Sequence, residues 1–441
     1  MRATPDLYKH ILIIAVLVVI TALAFSPCLR NSFVINWDDD VHLLANEKVR
    51  SLTSENIASI FTQLINRTYQ PLLVLSYAVE YHFFQYRPFV YHLTNLLLHI
   101  AVVGLVYKLA LSLSLEPLAA GISALIFGLH PVHVEPVAWV TSRKDLLYSL
   151  FYLLSVILYL RYLRRRSFLS YGGSLACALL AIFSKSMALS LPLVLWAMDW
   201  FQRRKMDWKI LGDKIEYFLL IVPIAWITYS QNTGIMSLNR SGIRSGVIYL
   251  WSFMHYVFKF FWPVNFTPIH EMSGPIALAN SVYLWPLLVF GILIILLVRF
   301  RRDRLFVFAF VFYFASIFFL LRTDVIVFGA QMVSDRWVYL PCLGFCLWLG
   351  ERFWKIYLKM EGRRWIKAVW IFLLVGVFSW LGISSFKQCR IWKDGGTLWE
   401  YALKHYPQSP VANNNMADFL LKRGETGQKI AEYCRRSIEA Y

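Results

Sequence analysis

Long apolar runs separated by short polar segments set the pattern of this chain. A helix needs about 20 mostly apolar residues to cross the ~30 Å hydrocarbon core of a bilayer. Eleven stretches read as such spans: 10–26, 90–112, 117–131, 146–163, 168–184, 187–200, 214–231, 281–298, 304–321, 337–353 and 366–385. Two of them, 117–131 and 187–200, are short, which predicts tilt, a break or an extension. A further apolar stretch, 247–263, contains His255, Lys259 and Pro263 and reads as an in-plane or re-entrant segment. Because so many spans follow, 10–26 reads as a retained first helix rather than a cleaved signal peptide.

The polar segments carry elements of their own. In the long segment 27–89, Thr53 can cap a helix in which Ile57, Ile60, Phe61 and Leu64 recur at helical spacing. That pattern predicts an amphipathic helix lying on the membrane surface. After residue 385 the chain turns polar, with helical patterns around 396–405, 412–422 and 426–440 joined by "YPQSP" and "RGETG". Ala402, Ala412, Ala417 and Ala431 supply small contact positions, as at the start of a tetratricopeptide-repeat array. A unit of this kind needs stacked neighbours, so the tail is expected to dock on something or to continue in a partner. A plain helical tail is the simpler alternative. The expected organisation is therefore a transmembrane domain over 1–390 and a helical segment over 391–441.

Composition agrees with an all-α polytopic membrane protein. Of 441 residues, 58% are hydrophobic and 16% charged, where a soluble domain carries about 25% charged residues; mean hydropathy is +0.54. The net charge of +18 would fit a nucleic-acid ligand, but its placement excludes that reading. The cations form short runs between spans: Arg161–Arg166, Arg203–Lys209, Arg299–Arg304 and Arg352–Lys367. The positive-inside rule puts all four runs, with the N-terminus, on the cytoplasmic side. Segments 27–89, 130–145, 232–280, 322–336 and everything after 385 then face the other side. Six cysteines show no metal-binding spacing, and Cys342 and Cys346 read as core residues.

Ionisable residues that are not flanking cations gather on that external side. "NWDDDVH" (36–42) holds Asp38, Asp39 and Asp40; "HPVHVEPVAWVTSRKD" (130–145) holds His130, His133, Glu135, Arg143, Lys144 and Asp145; Lys185 and Arg336 lie in two further short segments. Pro131 and Pro136 bar a continuous helix and shape the second of these stretches into a loop. Carboxylates facing cations at one membrane face fit acid/base chemistry on a membrane-anchored phosphorylated substrate, the cations holding phosphate and a carboxylate deprotonating a hydroxyl. They also fit a divalent cation held by the aspartates with His130 and His133, although Pro131 prevents the two histidines from sharing a helical face. No metal or other cofactor is expected. His92 and His99 read as helix-packing residues.

Six stretches, in order along the chain, carry a family resemblance: "FVINWDDDVHLLAN", "YQPLLVLSYAVEY", "YHLTNLLLH", "LHPVHVEPVAWVTSRKDLL", "SKSMALSLPLVLWAMDW" and "SDRWVYLP". Together they resemble the transmembrane and tetratricopeptide-repeat-containing O-mannosyltransferases, and more closely their bacterial relatives, in the GT-C superfamily of membrane glycosyltransferases. The resemblance implies a GT-C bundle with its active site on the lumenal or periplasmic face. It implies an inverting transfer of mannose or another hexose from a polyprenyl-phosphate carrier to a hydroxyl of a protein or glycan. The base of such enzymes lies in the first external loop, which here is Asp38 with Asp39, leaving Asp40 without a role. Repulsion between the two carboxylates is expected to raise the base's pKa towards working pH. Arg143, Lys144, Lys185 and Arg336 become candidates to hold the phosphate, and His130, His133 and Glu135 candidates to line the sugar or acceptor pocket. Two departures stand out: animal members show Tyr-Arg-Pro where this chain has Tyr69-Gln70-Pro71, and they carry a long repeat array beyond the point where this chain stops.

The expected location is an integral multi-pass membrane protein of a bacterial inner membrane, or of the endoplasmic reticulum if eukaryotic, with a cytoplasmic N-terminus and an external tail. A lipid-linked-sugar transporter or flippase is the main alternative. It would place ionisable groups near the bilayer midplane between repeats, whereas here they gather at one face. A non-catalytic scaffold is the second alternative, and it has no use for costly adjacent carboxylates.

Overall fold

The computed structural model describes residues 5–65, 68–205, 207–232, 242–271, 281–321 and 331–439. Asn66, Arg67 and Asn239 lie outside the described residues, as do parts of the segments 232–280 and 322–336. The chain is built from helices: α1 (Pro5–Phe25), α2 (Ser54–Thr62), α3 (Pro71–Phe84), α4 (Pro88–Ser112), α5 (Pro117–Leu129), α6 (Val134–Ala138), α7 (Arg143–Arg165), α8 (Phe168–Ser184), α9 (Leu191–Phe201) and α10 (Trp208–Gly212). They continue as α11 (Ile215–Asn232), α12 (Gly242–Phe261), α13 (Ser281–Arg299), α14 (Arg304–Ile317), α15 (Leu343–Lys359), α16 (Arg364–Cys389), α17 (Gly395–His405), α18 (Pro410–Lys422) and α19 (Gln428–Glu439). Two short strands, β1 (His270–Glu271) and β2 (Gln331–Val333), pair antiparallel with His270 opposite Val333.

Each of the eleven expected spans overlaps a helix. Four helical stretches (Asp6–Arg30, Pro88–Ser112, Val140–Arg165 and Arg364–Trp392) are long and apolar enough to cross a membrane by themselves. A fifth is formed if α5 and the stretch Pro131–Ala138 count as one span bent by 53°. Shorter apolar helices make up the rest of the bundle, so length and composition establish a multi-pass membrane protein without fixing the span count. The stretch read as in-plane or re-entrant is a continuous 20-residue helix, α12, whose His255 and Lys259 are buried.

Local signals account for the helix starts. Proline opens α3, α4, α5 and α18, where its missing N–H costs nothing. Thr53, Ser167, Asp303, Asp394 and Ser409 cap their helices through side-chain oxygens. Thr53 caps α2 as the sequence predicts, but α3 is an unexpected element. It buries Leu73, Val74, Tyr77, Ala78 and Glu80 without an amphipathic period, and it joins Leu43, Val49 and Ile60 in a small core of its own. In the bundle, α15 approaches two neighbours closely through glycine: a Cβ on Gly344 would lie 2.5 Å from Ala309 O, and one on Gly350 2.7 Å from Ser123 N.

The two ends of the bundle differ in charge. Arg203, Arg299, Arg302, Arg304, Arg352 and Lys355, from three of the four basic runs, line one cleft of about 800 Å³. The acidic first loop meets the turn before α7 elsewhere, among a different set of residues.

Candidate active site

The floor of the site is the turn between α6 and α7. Pro131 separates α5 from α6 and Pro136 lies inside α6; the carbonyls of the turn that follows accept hydrogen bonds from neighbouring helices. Asn95 of α4 donates to Trp139 O at 3.1 Å and Val137 O at 3.4 Å, and Tyr77 of α3 donates to Val140 O at 2.9 Å. Arg143, the first residue of α7, completes this framework. Its three nitrogens donate to Asn95 Oδ1 (2.8 Å), Ser76 Oγ (3.2 Å), Glu80 Oε2 (2.6 Å) and Tyr91 O (3.0 Å), and its guanidinium lies 4.7 Å above the Tyr77 ring. Arg143 is fully buried. The expectation that it holds substrate phosphate is therefore corrected: every nitrogen is already committed to tying α3 and α4 to the turn.

The three aspartates separate into three environments. Asp39 is fully buried; it accepts from Val34 N at 2.8 Å, from Thr141 N at 3.0 Å and from the Thr141 hydroxyl, locking the first loop to the turn. Asp40 accepts from Asn36 N at 2.6 Å and pairs with Lys422 of α18 at 2.8 Å, tying the loop to the C-terminal helices. Asp38 keeps a carboxylate 38% exposed, with Lys144 Nζ 3.6 Å from Oδ2. Asn36 turns the chain into this run with a φ of 75°, a left-handed conformation that asparagine tolerates.

Electrostatics sharpen the division. Burial pushes the Asp39 carboxyl up to about 6, against the hydrogen bonds from Thr141 and Val34, and Asp38 adds a smaller push. For Asp38, burial also pushes upward, but the charge of Lys144, with His42 and Arg336 behind it, holds the carboxyl below its ordinary value. Burial and then Lys144 depress the His42 imidazole to about 4, which leaves it neutral at pH 7. The expected lift of the base by its neighbour thus falls on Asp39 rather than on the accessible Asp38. Asp38 remains an ionised acceptor through neutral pH.

The Asp39 shift has a consequence for stability. A carboxyl raised from 3.8 to about 6 by folding binds its proton more tightly in the native state, so native stability falls as pH rises through that window. The difference corresponds to about 3 kcal/mol at most. Relative to an Asp39→Asn variant, the wild-type protein is expected to lose stability between pH 4 and pH 6 in thermal unfolding in detergent. A gain over that window would contradict the assignment.

Two cations, Lys144 and Arg336, act on Asp38, and a third, Lys185, lies near both of them. Lys144 Nζ lies 5.9 Å from the centre of the Trp139 ring, and the Arg336 guanidinium lies 5.2 Å from the same ring. Arg336 also holds Glu135 through its side chain and its backbone N–H, the latter at 3.0 Å. Lys185 pairs with the buried Asp145 and lies near the Tyr148 ring. Burial, opposed by Asp145, lowers its ammonium to about 8, so it stays charged at pH 7. Asp38, Lys144, Arg336, Glu135, Asp145 and Lys185 therefore form one charged cluster.

The two histidines do not join it as site residues. His130 Nε2 bonds Phe260 O at 2.9 Å while Nδ1 accepts from Val132 N; His133 Nδ1 bonds Phe127 O at 2.6 Å and Nε2 meets Cys342 Sγ at 3.3 Å. Both are buried with both ring nitrogens engaged, which corrects their expected place in a sugar pocket and leaves neither free to join the aspartates around a cation. Trp139, which carries two of the cations, drew no notice in the sequence because tryptophan is common in membrane proteins. It also links the site to the tail: Trp139 stacks on Trp392 at 5.7 Å, and Trp37 packs on Trp139 at 6.1 Å and on Trp399 at 5.0 Å. The tail thus docks on the acidic loop, where Gly395 admits Asn36 at a distance a Cβ would fill.

No protein-family model matches the chain. Over 103 residues, 23% of its length, the chain is 37% identical to the protein O-mannosyl-transferase tmtc2 of Xenopus laevis, covering 12% of that protein. Over 95% of its length it is 22% identical to the protein O-mannosyl-transferase F38B6.6 of Caenorhabditis elegans, covering 61% of it. The chain thus spans less than two thirds of these curated relatives. Among solved structures, ArnT from Cupriavidus metallidurans bound to undecaprenyl phosphate aligns with 96% of this chain and 84% of its own, at 13% identity and a TM-score of 0.44.

Proposed function

We propose that the chain is a GT-C glycosyltransferase that moves a sugar, mannose or another hexose, from a polyprenyl-phosphate carrier to a hydroxyl of a protein or glycan. Sequence similarity to protein O-mannosyl-transferases supports the reaction class. The observation that carries it in this chain is the exposed Asp38 carboxylate, seated against Lys144 and beside Arg336. The reaction breaks the bond between the anomeric carbon and the phosphate oxygen and forms one to the acceptor oxygen. Asp38 takes the acceptor's proton, and the departing phosphate gains a negative charge that Lys144, Arg336 and Lys185 offset. Attack from the face opposite the phosphate inverts the sugar's configuration. Asp39 acts by positioning, since its oxygens are spent on Val34 and Thr141. The site faces the lumen or periplasm, opposite the basic cleft, as charge placement favours.

Proteoliposomes loaded with a radiolabelled polyprenyl-phosphate sugar test this directly. Supplied with hydroxyl acceptors, the protein should yield a labelled glycoside and free polyprenyl phosphate. Movement of the labelled lipid between leaflets with no glycosidic product would favour the transporter reading instead.

A further inference from the structure

A second constellation lies beside the charged cluster. His255 of α12, His270 of β1 and Asp335, in the single turn of helix over Asp335–Val338, offer ligand atoms that all lie within 4.8 Å of one another. All three residues are more than nine-tenths buried. Their hydrogen bonds do not close. The Thr267 hydroxyl donates to Ile269 O, so its oxygen can only accept from His270 Nδ1, 3.3 Å away. A neutral His270 can therefore close only one of its two contacts: with its proton on Nε2 it donates to Asp335 Oδ1 at 3.0 Å and turns a bare Nδ1 to the Thr267 oxygen, and with its proton on Nδ1 it sets a lone pair against Asp335, acceptor against acceptor. An imidazolium would relieve that contact. It would leave the second fault untouched, because His255 Nε2 is buried without a partner. One cation bound by all three groups removes both faults.

We propose that His255, His270 and Asp335 bind a zinc ion. Two imidazoles and one carboxylate are a common zinc donor set, and ligand atoms about 3.3 Å apart suit a tetrahedral site with bonds of about 2.0 Å. The His270–Asp335 separation of 3.0 Å is already close to that spacing, while His255 must draw in. Thr267 fixes His270 through its other nitrogen, as outer-shell partners of metal-bound histidines do. Lys259, one turn along α12, is held by Val264 O and Asn265 O at 2.7 Å each. The ion joins α12, the β1–β2 ladder and Asp335. By fixing Asp335 it sets the backbone of Arg336, the residue that grips Glu135 and lies over Trp139. Zinc here is a positioning element, and the proposal stands or falls apart from the transferase reading.

The test is metal content of the full-length protein purified in detergent without chelators. Elemental analysis should find about one zinc per chain. Protein exchanged into cobalt(II) should show the visible absorption bands of a tetrahedral cobalt site. Chelation should lower the unfolding temperature, and added zinc should restore it. His255→Gln and Asp335→Asn should each cut bound metal at least tenfold in the monodisperse fraction. Wild-type protein that holds no zinc after incubation with the metal, with an unfolding temperature that neither chelator nor zinc shifts, would overturn the proposal. So would a folded His255→Gln variant with full zinc content.

Discussion

Asp38→Asn is expected to lower sugar transfer by about 10²–10⁴-fold, the range a positioned general base contributes, while the protein remains folded and monodisperse. The substitution keeps the volume and removes the basic lone pairs. Asp38 is the most exposed member of the acidic run, and its carboxylate touches Lys144 without being consumed by backbone donors. Asp40→Asn provides the contrast. It weakens a half-exposed pair with Lys422, an interaction worth about 0–1 kcal/mol, and should leave turnover near the wild-type level. Equal loss in the two variants, measured as initial rates at matched amounts of folded protein, would remove Asp38 from the base's role.

Arg143→Met carries the largest expected effect on stability. Breaking a buried ion pair by removing one partner costs about 3–5 kcal/mol, because the other charge stays behind without compensation. Here the stranded groups are Glu80 and, beside it, Asn95 Oδ1 and Tyr91 O. Thermal unfolding in detergent should register the loss, together with a fall in membrane yield. The double variant Arg143→Met with Glu80→Met should recover part of it, since a well-packed apolar pair can replace a buried ion pair. An Arg143→Met protein of unchanged stability and impaired transfer would instead return Arg143 to phosphate binding.

The adjacent pairs show where sequence stops. Asp38 and Asp39 are identical in type, as Arg143 and Lys144 are in charge, yet one member of each pair is scaffold and the other faces the site. Both pairs sit where an irregular turn meets a helix, so no period tells which side chain points inward. Of the deciding partners, Val34 lies only five residues before Asp39, but Thr141, Asn95 and Glu80 come from other segments. His130 and His133 look like ligands in sequence because their carbonyl partners, Phe260 and Phe127, carry no side-chain signal of hydrogen bonding. The spans were legible because apolar runs of that length have few other uses, and α2 because Thr53 and the helical period agree. α3 was not, because a helix buried on several faces has no polar stripe to mark it. Docking of the tail needed the folded chain: Lys422 and Trp399 meet Asp40 and Trp37 from the far end of the sequence.

In the proposed reaction one ionised carboxylate, Asp38, drives a direct displacement at the anomeric carbon with phosphate leaving opposite. The anomeric configuration of the product, read by NMR after transfer from a polyprenyl-phosphate sugar of known configuration, tests it most directly. A glycoside of inverted configuration is predicted. A product with the donor's configuration retained would contradict the account, since it requires a second displacement for which Asp39, with its oxygens held by Val34 and Thr141, offers no free nucleophile.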